Sequence, residues 1–285
     1  MGEWLEQQVV EALDVDVTRL ARLGGGDVAE SFAVDLTNGQ RVFAKTHRNP
    51  PPQFFETEAA SLEWLRAADA LPVPTVLAVG EGYLVLEWID EARARSNTAG
   101  ETEFGRSLAA LHRSGADVFG RTDRRTTGSR RLPNEPTATW AEFFGENRLL
   151  PLARMARDQG ALPVHVCDGL ATLAGRLDEV GGPQETPARL HGDLWAGNRI
   201  VDASGRSWII DPAAHGGHRE FDLAMMRLFG GFGDAAFDAY AEVFALADGW
   251  PERVPLHQLA PLAVHAIKFG GGYVAAAERA LAAVL

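Results

Sequence analysis

The sequence predicts an α+β chain of two lobes, a small β-rich one over residues 1–88 and a larger helical one over 89–285. Three observations predict it. Short strand-like runs flank Asn38-Gly39, the strongest local hairpin signal. Strand character stops after Trp88, and apolar residues then recur at helical spacing, as at Phe104, Leu108 and Leu111. A length of 285 residues with 46% hydrophobic content suits one large or two modest domains with a sizeable core.

The elements follow in order. Residues 3–13 read as a short amphipathic helix. Phe32–Leu36 and Arg41–Thr46 are the hairpin strands. Pro51-Pro52 precedes a helix in which Phe55, Ala59, Leu62 and Leu65 share one face, and Pro72 and Pro74 close that element. Thr75–Gly80 and Tyr83–Glu87 read as two further strands of a buried sheet. Beyond Trp88 come a helix around residues 104–112, a loop over 115–136 and long helices over 139–158 and 165–180. Leu190–Pro212 reads as a loop and a hairpin, and the remainder as helices broken by Gly and Pro.

Composition narrows the function. The net charge is −12, and Lys and Arg are scattered apart from Arg121–Arg131, which excludes a nucleic-acid partner. Arg121–Arg131 reads as a solvated loop, with a flap over substrate as the alternative. On so acidic a chain, a bound polyphosphate needs help from metal ions or backbone dipoles. The single cysteine, Cys167, fits a reducing compartment. Residues 1–6 lack the apolar region of a signal peptide, and Glu6 stands where a myristoylation signal wants Ser or Thr. No apolar run is long enough to span a bilayer. The expectation is a cytoplasmic protein without a membrane partner, a monomer or weak homodimer.

The sharpest local signal is His191-Gly192-Asp193-Leu194-Trp195-Ala196-Gly197-Asn198, followed by Trp208-Ile209-Ile210-Asp211-Pro212. Arg199–Val201 and Ser207–Ile210 flank turn chemistry at Asp202-Ala203-Ser204-Gly205. If they form a hairpin, Asn198 and Asp211 meet at its open end, with Asp193 on the loop leading in. Asn198 and Asp211 then offer hard oxygen ligands for Mg²⁺, and Asp193 stays free to take a proton from an attacking hydroxyl. His191 reads as a packed histidine that orients the loop. In the front lobe, Gly24-Gly25-Gly26 would let backbone N–H groups approach phosphates. The hairpin register brings Lys45 opposite Ser31, near those glycines, and Glu58 on the next helix can pair with it. The strand ending at Glu87, Trp88 and Ile89 offers backbone groups to an adenine edge. The cofactors expected are ATP and Mg²⁺.

The order of glycine loop, Lys45, Glu58, hinge, Asp193, Asn198 and Asp211 resembles the protein-kinase-like fold. The form His-Gly-Asp-Leu-Trp-Ala-Gly-Asn looks like its aminoglycoside-phosphotransferase-like branch. The run Asp211–Ala224, with Trp195 and Phe229-Gly230-Gly231-Phe232, closely resembles the fructosamine kinase (ketosamine-3-kinase) family. The resemblance implies ATP-dependent phosphorylation of the 3-hydroxyl of a ketosamine, a glycated amine, whose 3-phosphate then breaks down and frees the amine. It implies that Trp195 walls the sugar and that Asp222 braces the catalytic loop. His265 and Phe269-Gly270-Gly271-Gly272-Tyr273 resemble a family segment near the substrate. Asp27 stands just after Gly26 where many members carry a nearby cysteine, so redox control through that loop is not expected here.

Rival readings keep the residues and change the chemistry. A kinase of the same fold could act on an aminoglycoside or choline-like acceptor. A nucleotide-binding module without turnover is another alternative. A metal site built from His191, His215 and His218 is a third, although their spacing follows no zinc signature.

Overall fold

In the computed structural model, residues 2–24, 29–92, 97–124, 126–127 and 130–285 are described. Helix α1 (Gly2–Leu13) leads into β1 (Val17–Leu23), β2 (Glu30–Leu36) and β3 (Arg41–Thr46). Helix α2 (Phe54–Arg66) follows, and then β4 (Val76–Gly80) and β5 (Tyr83–Glu87). The five strands form one antiparallel sheet of order β1-β2-β3-β5-β4. Asn38 sets the β2–β3 turn, its side-chain oxygen accepting the Gln40 N–H at 3.0 Å. The resulting register pairs Ser31 with Lys45, as expected.

Period-two alternation divides the sheet's residues between its faces. Val34, Val42 and Ala44 pack with Leu5 and Val9 of α1. Phe43, Leu84 and Leu86 join Phe55, Leu62 and Leu65 of α2 in a second cluster. Lys45, two residues from Phe43, shares its face and so points away from α1.

The helical part begins with α3 (Thr98–Arg113), capped by the Asn97 side chain accepting the Gly100 N–H at 2.9 Å. Then come β6 (Thr126–Thr127), β7 (Leu132–Pro133), α4 (Trp140–Phe144), α5 (Leu150–Asp158), α6 (Val164–Ala174) and α7 (Leu177–Val180). Short pairs join β8 (Ala188–Leu190) to β11 (His215–Gly217), and β9 (Arg199–Val201) to β10 (Ser207–Ile209). Helices α8 (Glu220–Phe229), α9 (Asp234–Val243), α10 (Trp250–Phe269) and α11 (Gly272–Ala282) close the chain. Two cores result. One gathers Phe143, Leu152, Leu170, Leu259 and Leu281 among the later helices. The other runs from α2 through Phe104 and Leu108 of α3 to Leu223 and Tyr240, tying the sheet's underside to the helices.

Three expectations need correction. The helix expected over 139–158 contains a π turn at Gly145–Leu149. Pro151 has no N–H to give the Asn147 carbonyl, and the Arg148 guanidinium takes that carbonyl at 2.9 Å. The helix expected over 165–180 breaks at Gly175-Arg176. Conversely, Pro255 and Pro261 do not break α10. Each costs about 3 kcal/mol in a helix interior, which burial of Leu256, Leu259 and Leu262 offsets. Among the described residues no helix is long and apolar enough to cross a membrane.

Candidate active site

The β9–β10 hairpin forms as its turn residues dictate. Asp202 Oδ1 accepts Ser204 N and Oγ at 2.9 and 2.6 Å, and Asp202 Oδ2 accepts the Trp208 indole N–H at 2.9 Å. The Ser204 and Trp208 bonds hold the Asp202 carboxyl at about 2. The hairpin docks on the front lobe through Ile209 N to Pro72 O, and on the segment just after that lobe through Ala92 N to Val201 O. Arg199 fixes its other side, bonding Glu101 at 2.8 Å and lying over the Phe104 ring. At the open end Ile210 N bonds Asn198 O at 3.0 Å, so Asn198 and Asp211 are neighbours.

The loop before the hairpin is held from beneath. Asp222, in the first turn of α8 and fully buried, accepts His191 N at 2.7 Å and Gly192 N at 2.9 Å. Burial alone would raise its pKa. The His112 contact, the nearby His191 and the Gly192 N–H outweigh it and hold the carboxyl below the usual range. Gly192 sits at φ 81°, and a Cβ there would lie 2.2 Å from Ala213 O, so the turn requires glycine. His191 donates Nε2–H to Ile210 O at 2.9 Å and accepts Asp193 N on Nδ1 at 3.2 Å. Burial lowers its pKa, and both ring nitrogens are engaged by backbone groups of the loop and hairpin.

Asp193 emerges from this loop with its backbone and side chain both engaged. Asn198 Nδ2 donates to its carbonyl at 2.8 Å and to Oδ2 at 3.1 Å. Burial pushes the Asp193 carboxyl up to about 7. The Asn198 bond and Lys268 oppose that shift, while the charges of Asp211 and Asp222 add to it. A carboxyl poised near neutrality can accept a proton at working pH.

Lys45 reaches across the cleft, binding Glu58 Oε1 at 2.8 Å and closely contacting Asp211 Oδ1. Burial favours the neutral amine. The two carboxylates outweigh burial and raise the pKa, so Lys45 is an ammonium. Asp211 holds a left-handed backbone, φ 54°, uncommon for a residue with a side chain. The donor chemistry fits Mg²⁺. Asp211 offers a carboxylate, and Asn198, its amide nitrogen committed to Asp193, offers the amide oxygen.

A cavity of about 680 Å³ collects Lys45, Glu58, Asp193, Trp195, Asn198, Asp211 and His265. Trp195 lies over Gly197, where a Cβ would stand 2.1 Å from the indole, and packs edge-on against Phe229. His265 packs tilted against Phe229 and Tyr273 on the same side. Gly24, Glu87, Trp88 and Ile89 do not line this cavity. The Glu87 carboxylate accepts Thr75 N and Oγ1, and the Trp88 indole donates to Asp90. Gly25, Gly26 and Asp27 lie outside the described residues.

The histidine metal site is not assembled. His191 is committed within its loop and His215 Nδ1 bonds Ala213 O at 2.9 Å. The group that does gather among the described residues is His218, Glu220 and His257, and there both Glu220 oxygens already accept Arg253 at 2.8 and 2.6 Å. Sequence reasoning missed Arg148 and Lys268, which also line the cavity. Lys268 follows His265 by three residues on α10, a spacing that places both on one helix face. Arg148 gave no signal, because the π turn that aims it is not legible in the sequence.

Residues 2–285 match the family model described as fructosamine kinase. A Synechocystis protein named "Probable ketoamine kinase" is 35% identical, over 91% of this chain and 88% of its own. The chloroplastic protein-ribulosamine 3-kinase of Arabidopsis thaliana is 32% identical, over 95% and 83%. A Thermobifida fusca crystal structure, named as a proposed fructosamine-3-kinase, superposes with TM-score 0.91 at 39% identity and covers 98% of each chain.

Proposed function

The chain belongs to the fructosamine kinase family, with the bilobal protein-kinase-like fold, and from that premise we propose that it transfers the γ-phosphoryl group of ATP to the 3-hydroxyl of a ketosamine. The observation that carries the reading is the meeting of Asp193, Asn198, Asp211 and the Lys45–Glu58 pair in one cavity. The relatives' names favour a ketosamine over an aminoglycoside or choline-like acceptor.

The residues divide the work. Lys45, aimed by Glu58, binds nucleotide phosphate oxygens, and the strand end at Glu87, Trp88 and Ile89 is the expected edge for adenine. Asn198 and Asp211 would hold Mg²⁺, which would neutralise phosphate charge during transfer. Asp193 accepts the hydroxyl proton as the acceptor oxygen forms its bond to the γ-phosphorus. The bond from that phosphorus to the bridging oxygen breaks, and ADP leaves with the electron pair. Asp222 and His191 keep Asp193 in place without touching substrate. Trp195 and His265 wall the acceptor. The resulting 3-phosphate weakens the adduct, whose breakdown frees the amine.

The test is phosphorus NMR after incubation with Mg·ATP and the ribulose or fructose adduct of lysine. The expected result is a new monoester resonance coupled to the proton on C3. Absence of ATP-dependent product with every ketosamine, beside turnover of another alcohol, would refute the reading.

A further inference from the structure

The chain carries a net charge of −12, yet the cavity wall beyond the Lys45 cluster is cationic. Among the described residues, the carboxylates that line the cavity are Glu58, Asp193 and Asp211. Glu58 and Asp211 are paired with Lys45. The other charged groups that line the cavity, among the described residues, are Asp193, Arg130, Arg131, Arg148 and Lys268.

Arg148 is the most telling of the four cations. It is 3% exposed and its hydrogen-bond partners are the carbonyls of Pro133 and Asn147 and the side-chain oxygen of Asn134, all uncharged. Burial pulls its pKa down to about 9, and it remains a guanidinium at neutral pH. A buried cation without a countercharge is costly, and an anion in the adjoining cavity would repay that cost. Lys268 approaches from α10 and lies close enough to Asp193 to influence its carboxyl. Arg130 and Arg131 approach from the segment leading into β7. The cations therefore arrive from separate elements around one space, beside the aromatic wall of Trp195 and Phe269.

We propose that this cationic wall selects a ketosamine that itself carries an anionic group, either a carboxylate on its amine half or a phosphate on its sugar half. The inference rests on the ketosamine reading and adds the substrate class. An adduct without an anionic group, such as a glycated lysine within a polypeptide, is cationic at its secondary amine and offers the wall nothing to bind. A low-molecular-weight adduct of a free amino acid, or of a sugar phosphate, does.

The test compares three ribulose adducts: that of Nα-acetyl-lysine, that of its carboxamide, and the 5-phosphorylated adduct of the same carboxamide. Charge-assisted bonds to one anionic group are expected to raise kcat/KM on the order of tenfold over the adduct of the carboxamide. Whichever anionic adduct shows the gain identifies the source. In Lys268→Met and Arg130→Met, both at surface-accessible positions, the ratio of kcat/KM with the anionic group to that without it should fall toward one. Added salt should lower the wild-type ratio as well. Equal kcat/KM for all three adducts would overturn this inference and leave the ketosamine reading standing. Phosphorylation of none would overturn both. Variants that weaken ATP binding while keeping the acceptor ratio would assign the cations to the nucleotide and overturn the inference.

Discussion

Asn198 donates one amide nitrogen to both the carbonyl, at 2.8 Å, and the carboxylate, at 3.1 Å, of Asp193, five residues before it. That fork links the residue proposed as base to a residue proposed as metal ligand. A change at either position is therefore felt at the other.

The raised pKa of Asp193 predicts an acid limb in the rate profile. The ionised carboxylate is the form that accepts a proton, and burial pushes its pKa to about 7. Below that value the group is protonated and inactive. Accordingly kcat/KM should fall about tenfold per pH unit below 7 and level off above it. A limb near 4, the ordinary carboxylate value, would contradict the assignment.

Asp211→Asn should remove the Mg²⁺ dependence of nucleotide binding. The amide lacks the negative charge that a hard dication requires, and it leaves Lys45 with Glu58 alone. Isothermal calorimetry with and without Mg²⁺ reads this directly. Unchanged Mg·ATP affinity would count against the ligand role.

Asp222→Ala should destabilise the protein by about 3 kcal/mol, since two buried N–H groups lose their acceptor. Urea unfolding measures it, and a loss under about 1 kcal/mol would contradict the bracing role. The native carboxyl is held below its usual pKa, so its contribution is present above that usual value. It is lost as pH falls through the depressed native one. The wild type should therefore lose stability in acid more steeply than the variant.

Gly192→Ala places a Cβ 2.2 Å from Ala213 O at a positive φ. The loop must shift, and Asp193 shifts with it. A displacement on the order of 1 Å costs roughly 10²-fold in kcat. The expected variant is folded by circular dichroism and slow by that factor; near-normal kcat would show that the loop has slack.

Much of the site was legible because it is built from short-range chemistry. The Asn38-Gly39 turn sets the Ser31–Lys45 register, and the Asp202–Gly205 turn brings Asn198 to Asp211. Both follow from turn residues flanked by strand-like runs. The interruptions were less legible. The π turn at Gly145–Leu149 and the unbroken passage of α10 through Pro255 and Pro261 depend on tertiary partners. Window-based periodicity does not see such partners. Arg148 enters the cavity through that π turn, and for the same reason it escaped the sequence reading.

The central claim is that Asp193 takes the proton while other residues hold the nucleotide. Single-turnover kinetics of Asp193→Asn with preformed Mg·ATP complex and a ketosamine tests it most directly. The account predicts a phosphoryl-transfer rate lower by roughly 10²–10⁴ with the Kd for Mg·ATP within about threefold of wild type. A transfer rate close to wild type would contradict it.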